Sequence, residues 1–287
     1  MAAGVKSVSV GTKACPLCST KIAPEKAKCP SCGHWMFNAG GQADAGQYDK
    51  NDGSLLLEDV NDQEIERIDA NVLNHCLDGG LVRSDVILIG GGPGAGKSTA
   101  MLQVAESLTE TGLVMYVSAE EDIRKIKMRA DRLEIKARRR IRLLPALSGV
   151  ANVGAMLWAH RPSAIIIDSI DALSGHNDGE EMIILSVLKK FCVELNAPAI
   201  VINQVTKDGD YSGLKAKQHL VDVLLTFDSD ESINVGIDFI RYMKTIKNRS
   251  GRAGLEAWFE MTELGLVSTL GPDAEPDSDS EPESVPE

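Results

Sequence analysis

Apolar residues fall in short unbroken blocks along the middle of the chain, separated by stretches where they recur every three or four positions. Val86–Gly90 (VILIG), Leu113–Ser118 (LVMYVS), Ala164–Asp168 (AIIID) and Ala199–Asn203 (AIVIN) have the length and branched-chain content of strands buried on both faces. The helical period appears near 97–110, 122–133, 150–160 and 179–195. Buried strands alternating with amphipathic helices predict an α/β domain with a mostly parallel central sheet and crossover helices. After Asn203 the pattern changes. Val221–Phe227, Phe239–Ile246, Ala257–Met261 and Leu266–Ser268 follow one another with no helical stretch between them, which predicts an antiparallel C-terminal extension of the sheet. No internal repeat is visible.

The folded domain predicted by this pattern runs over 54–270. Before it, residues 38–53 (NAGGQADAGQYDKNDG) are rich in Gly, Ala and Asp and read as a flexible linker, and 13–37 hold four cysteines. After it, 271–287 (GPDAEPDSDSEPESVPE) carry seven acidic residues and no basic one, a composition that cannot bury enough apolar surface to order itself. The tail supplies more than half of the formal net charge of −12. With it set aside, local basic groups such as Lys136–Arg142 (KARRRIR) stand out, so a nucleic-acid partner is compatible with the charge if it binds a patch. No run of 18 apolar residues exists, and the N-terminus MAAGVKSVSVGTK has no apolar core of a secretory signal; a cytoplasmic protein without membrane contact is expected.

The strongest chemical signal is Gly91-Gly92-Pro93-Gly94-Ala95-Gly96-Lys97-Ser98, which satisfies G-x-x-x-x-G-K-[ST] between a predicted strand and a predicted helix. Glycines let backbone N–H groups curl around phosphates at the helix N-terminus. Lys97 is expected on the β- and γ-phosphates of ATP, the Ser98 hydroxyl on Mg2+, and Thr99 at the helix start. Asp168, ending the AIIID strand, is the expected second Mg2+ group, and Asp171 reads as a loop or cap residue. Glu120 and Glu121 follow the LVMYVS strand, where open α/β sheets place catalytic groups. One of them is expected to activate the attacking water, with Glu120 preferred.

Cys15-x2-Cys18-x10-Cys29-x2-Cys32 has the spacing of a four-thiolate zinc ribbon, with Pro16 and Pro30 inside the two knuckles. About 25 residues cannot build a core, so bound Zn2+ would supply most of the folding energy; redox-active C-x-x-C pairs are the competing reading. His34 reads as a neighbour of the site, and Cys76 and Cys192 as packing residues.

Taken in order, VILIGGGPGAGKST, LVMYVSAEED, IKMRADRL, AIIIDSID, VINQVTKDG and KNRSG, preceded by the four cysteines, resemble the RadA (Sms) family of RecA-related proteins of DNA repair and recombination. The resemblance spans roughly 13–268 and implies a RecA-like P-loop core behind a small zinc ribbon. The implied activity is ATP hydrolysis stimulated by single-stranded or branched DNA, in a homo-oligomeric ring or filament. Branch-migration helicase activity and a recombinase or replication protein partner are implied as well. Gln204 then matches the residue that senses the γ-phosphate, and Lys247 and Arg249 match basic groups acting near DNA and near the ATP of a neighbouring subunit. The loop Thr206–Lys217 (TKDGDYSGLKAK) matches a channel loop, with Lys207, Lys215 and Lys217 as DNA contacts and Tyr211 able to stack on a base. Three departures stand out. Ser250 takes a place where the family has Phe. The INQ at 202–204 is closer to RecA, and the acidic tail stands where the family continues into a Lon-protease-like domain, which points to a short, phage-type form. The alternative reading is a KaiC-like nucleotide-dependent switch acting on protein partners.

Overall fold

The computed structural model of the chain describes residues 13–14, 20–22, 65–145, 149–204, 212–235 and 238–269. The chain divides into two units, residues 1–45 and 46–287. In the first, strands β1 (Lys13–Ala14) and β2 (Lys21–Ile22) pair antiparallel, Lys13 opposite Ile22 and Ala14 opposite Lys21. Cys15, Cys18, Cys29 and Cys32, the linker at 38–53 and the tail at 271–287 lie outside the described residues.

The second unit opens with a small antiparallel pair, β3 (Arg67–Ile68) and β4 (Leu81–Val82). The chain then runs β5 (Val86–Gly91), α1 (Lys97–Leu108), β6 (Val114–Ser118), α2 (Ile123–Arg132), β7 (Ile141–Pro145), α3 (Gly149–His160) and β8 (Ala164–Asp168). It continues with α4 (Ile170–Ser174), α5 (Asp178–Leu195), β9 (Ala199–Gln204), α6 (Ser212–Lys217), β10 (Val223–Val235), β11 (Asp238–Asn248), β12 (Glu256–Thr262) and β13 (Gly265–Thr269). Nine of these strands form one sheet in the order β13-β12-β11-β10-β5-β9-β8-β6-β7. The six strands from β7 to β10 are parallel, and β11, β12 and β13 add on antiparallel.

The two-residue period of the strands divides the apolar side chains between two layers. Ile87 and Ile89 of β5, Tyr116 of β6 and Ile166 of β8 face α1 and α2, where Met101, Leu102, Val104 and Ile126 close the first layer. Val86 and Leu88, Met115 and Val117, Ile165 and Ile167 face the other way, onto α3, α4 and α5. Each such side chain taken from water contributes about 1.5–3 kcal/mol, which is why the continuous apolar blocks can only be central strands. Polar caps set the helix starts: the Asp122 carboxylate accepts from the Arg124 N–H, and the Asn177 side chain from the Glu180 N–H.

Several elements differ from the sequence reading, among them α4, where a loop was expected. β10, expected among the antiparallel strands, is parallel to β5, with Val223 opposite Ile87, because α6 carries the chain back across the sheet. Part of the expected Gly-rich loop is therefore helical, at Ser212–Lys217. β7 went unread because its alternation of half-buried apolar and exposed positions is broken by Leu144 and its basic lead-in resembles a solvated loop. Among the described residues no helix is long and apolar enough to cross a membrane.

Candidate nucleotide-binding site

β5 delivers the glycine loop and α1 takes the chain away from it, starting at Lys97. Gly94 and Gly96 adopt left-handed backbone angles (φ +82° and +99°) that a side chain would strain, and they turn the loop back over the start of α1. Lys97 is buried, and its Nζ donates to the carbonyls of Gly91 and Gly92, both at 2.6 Å. Burial pulls its pKa down, and the carboxylates of Asp168, Asp228 and Glu120 hold it up. The Asp228 carboxylate accepts from the Gly92 N–H at 3.2 Å, so β10 braces the loop.

Asp168 ends β8 beside β6. Its carboxylate accepts the Tyr116 hydroxyl at 2.6 Å and a hydrogen bond from Ser98. Burial raises its pKa, and these two bonds oppose the rise. Tyr116 is wholly buried and its pKa is pushed well above the usual phenol value, so the hydroxyl stays a donor. The Ser98 hydroxyl and the Asp168 carboxylate are thus adjacent oxygen donors oriented by a fixed phenol, a set that fits a hard cation such as Mg2+. Tyr116 escaped the sequence reading because a tyrosine inside LVMYVS reads as one more apolar strand residue.

The two glutamates after β6 have different surroundings. Glu121 gives both carboxylate oxygens to Arg129 of α2, at 2.9 and 3.0 Å, and its carbonyl accepts the Ser118 hydroxyl at 2.6 Å. Glu120 is exposed, and its carboxylate accepts the Gln204 side-chain amide at 2.6 Å. Gln204 is held in turn by Asp171, whose carboxylate accepts the Gln204 backbone N–H at 2.7 Å and the Asn203 side-chain amide. Asp171 is therefore a buried tether of the β9 end, a role its loop-like context did not show. Between the glycine loop, Glu120, Gln204 and Arg241 lies a cavity of 380 Å³. Arg241 and Arg129 line it too, and nothing in the sequence marked either.

The expected DNA-facing groups are scattered. Lys207 lies outside the described residues and Lys215 lies on α6. Lys217, expected as a free DNA contact, is buried: its ammonium pairs with the equally buried Glu181 of α5 and donates to the Asn203 side chain at 3.1 Å. The helical turn that α6 makes after the loop rotates this lysine inward, where a phosphate cannot reach it. Lys247 donates to the carbonyls of Gln218 and Val221, the latter at 2.6 Å, closing the end of α6. Arg249 is exposed, 3.7 Å from Asp222. Asn248 pairs with Val223, which pairs with Ile87 at the start of β5, so Lys247 and Arg249 sit at the opposite sheet edge from the chain's own glycine loop. Ser250, in place of the expected Phe, donates its hydroxyl to Asp85 at 2.5 Å, a polar substitute for packing. Among the described residues no group of three or more His, Cys, Asp or Glu could hold a metal ion.

Comparison with known proteins adds three findings. The profile described as AAA domain matches residues 54–210. The DNA repair protein RadA of Aquifex aeolicus is 32% identical over 272 residues, covering 91% of this chain and 60% of that protein. The RadA of Campylobacter jejuni is 33% identical over 272 residues, covering 88% and 59%. The chain thus spans about three fifths of the length of these relatives. Among solved structures, a KaiC-like protein of Pyrococcus horikoshii superposes with a TM-score of 0.61 at 18% identity, over 72% of this chain and 100% of that one, a likeness of fold.

Proposed function

We infer, from the premise that this chain belongs to the RadA/RecA-related AAA-domain ATPases, that it hydrolyses ATP with Glu120 as the base and couples that step to DNA through the segment following Gln204. The observation that carries the reading is the 2.6 Å bond between Gln204 and Glu120 at the mouth of the glycine-loop cavity. It joins the residue expected to sense the γ-phosphate to the carboxylate expected to take a proton from water.

Each residue then has a task. Lys97 exchanges the carbonyls of Gly91 and Gly92 for phosphate oxygens, a charge-assisted contact stronger than the ones it leaves. Ser98 and Asp168 would hold Mg2+, which when bound supplies charge neutralisation at the phosphates. Glu120, whose carboxylate makes no salt bridge among the described residues, is the carboxylate open to the attacking water, whereas Glu121 serves to fix Arg129 beside the cavity. Release of Gln204 towards the γ-phosphate breaks its bond to Glu120, which is how the presence of substrate would free the base. β9 ends at Gln204 and the chain enters 205–211 directly, so Lys207, Tyr211 and Lys215 are the DNA contacts we retain. Lys247 and Arg249, remote from their own glycine loop, are assigned to the ATP of a neighbouring subunit in a homo-oligomer. A Zn2+ ribbon on Cys15, Cys18, Cys29 and Cys32 rests on the spacing of the four thiols in the sequence.

The test is steady-state ATP hydrolysis alongside equilibrium ATP binding. Lys97→Ala is expected to lose both, and Glu120→Gln to bind ATP while its kcat falls at least about 100-fold. Normal turnover by Glu120→Gln would remove the base assignment and transfer it to Glu121. Hydrolysis by the intact chain that is indifferent to DNA would favour a switch acting on protein partners.

A further inference from the structure

Ten of the chain's 30 lysines and arginines fall between Arg124 and Arg142, with only Asp131 and Glu134 as acids among them. A chain of net charge −12 concentrates one third of its cations in 19 residues. These residues form α2, a 3-10 turn at Arg138–Arg140 and β7, the edge strand of the nine-stranded sheet. Every one of the ten is exposed except Arg129, which turns towards the nucleotide cavity.

Carboxylates neutralise few of them. Arg124 pairs with Asp122, Arg129 with Glu121, and Lys127 and Arg138 share Asp131. Arg132 and Arg140 are aimed by neutral acceptors, the carbonyls of Glu263 and Thr109, and Arg142 by the His160 ring. Together with Lys125, Lys136 and Arg139 they make six cations without a carboxylate partner among the described residues. Neither the core nor the nucleotide cavity uses them.

We propose that the α2–β7 edge of the sheet, where Arg142 turns to His160 on the α3 side, is a second nucleic-acid surface, separate from the 205–217 segment, and that it holds the phosphate backbone of duplex DNA. The chemistry of the stretch selects the ligand. Residues 123–142 contain no Asn, Gln, Ser, Thr or aromatic residue, so they offer no stacking platform for unpaired bases and few groups for reading base edges. What remains is rows of Lys and Arg, which suit a partner that keeps its bases inside and presents charge outside. α2 is about 15 Å long, a length over which duplex DNA carries roughly nine phosphates. The proposal adds a surface to the ATPase reading and does not depend on hydrolysis.

The experiment is anisotropy of a short fluorescent duplex of mixed sequence, titrated with the full chain without nucleotide at several salt concentrations. It compares wild type with Lys136→Gln/Arg139→Gln/Arg142→Gln, three exposed positions outside the nucleotide cavity. The variant is expected to bind at least about tenfold more weakly. The slope of log K against log salt is expected to shrink by about 2.7, or 0.9 for each lost phosphate contact. DNA-free ATP hydrolysis and the thermal midpoint should stay at wild-type values, which separates failure of this proposal from failure of the ATPase reading. Binding to an unstructured single strand should fall less. Equal affinity and slope for the two proteins would overturn the proposal. So would a duplex affinity that responds to removal of 271–287 and not to the triple substitution, since the tail would then be competing with DNA elsewhere on the chain.

Discussion

Glu121 commits both carboxylate oxygens to Arg129, while the exposed carboxylate of Glu120 accepts the neutral amide of Gln204 and makes no salt bridge among the described residues. Glu121→Gln is therefore expected to loosen Arg129 and lower activity moderately, with its effect on kcat well short of that of Glu120→Gln. The comparison is made by steady-state kinetics on both variants. Tyr116→Phe removes one donor from the buried Asp168 carboxylate and is expected to cost about 1–3 kcal/mol of stability, read from denaturant unfolding, and to raise the Mg2+ concentration needed for half-maximal hydrolysis. Burial pushes the thiols of Cys76 and Cys192 up to about 12, so neither is a thiolate at neutral pH. A thiol reagent at pH 7 should leave both unmodified in the folded chain and label them after unfolding; labelling of either in the native state would contradict the burial. The glycine loop, Asp168 and the glutamate pair were legible because their chemistry demands fixed residue types at fixed spacing. Tyr116, Arg129, Arg241 and Asp228 were not, because they reach the site through strand pairing and helix packing that leave no local pattern.

α6 is where sequence and structure part most. TKDGDYSGLKAK has the glycines and charges of a loop, but Leu214 seats the helix directly on β5: a Cβ at Gly90 would lie 2.1 Å from Leu214 Cδ1. With α6 anchored there, Lys217 meets Glu181 in the interior, and through Asn203 the pair reaches the strand end that carries Gln204. Lys217→Met leaves Glu181 buried without its cation and is expected to cost about 3–5 kcal/mol in denaturant unfolding. Adding Glu181→Leu should recover most of that loss, because a matched apolar pair replaces a matched ionic one. A Lys217→Met chain of unchanged stability would show that the ammonium is solvated. The parallel strands β5, β6, β8 and β9 were legible for the opposite reason, since a central strand must be apolar on both faces and its block of branched residues has no other stable use.

On the scale of the molecule, the sheet separates two sets of groups that one reaction would need. The glycine loop, Glu120 and Gln204 stand at one edge of the parallel strands, and Lys247 and Arg249 at the other. The two sets can share a nucleotide only if a second copy brings its far edge to the first copy's loop. Arg249→Ala and Lys97→Ala chains, each inactive alone, should regain part of the activity when mixed, because the mixture contains intact loops facing intact arginines. The nine-strand order itself was beyond the sequence, since the parallel pairing of β10 with β5 joins strands more than a hundred residues apart. In the proposed function, ATP turnover answers to DNA through the segment that begins at Gln204. The direct measurement is steady-state ATP hydrolysis with and without single-stranded DNA, with Lys97→Ala and Gln204→Ala as controls. A several-fold stimulation is expected that disappears in Lys97→Ala along with all turnover, and in Gln204→Ala with basal turnover retained. Turnover that is the same with and without DNA, or a full stimulation in Gln204→Ala, would contradict it.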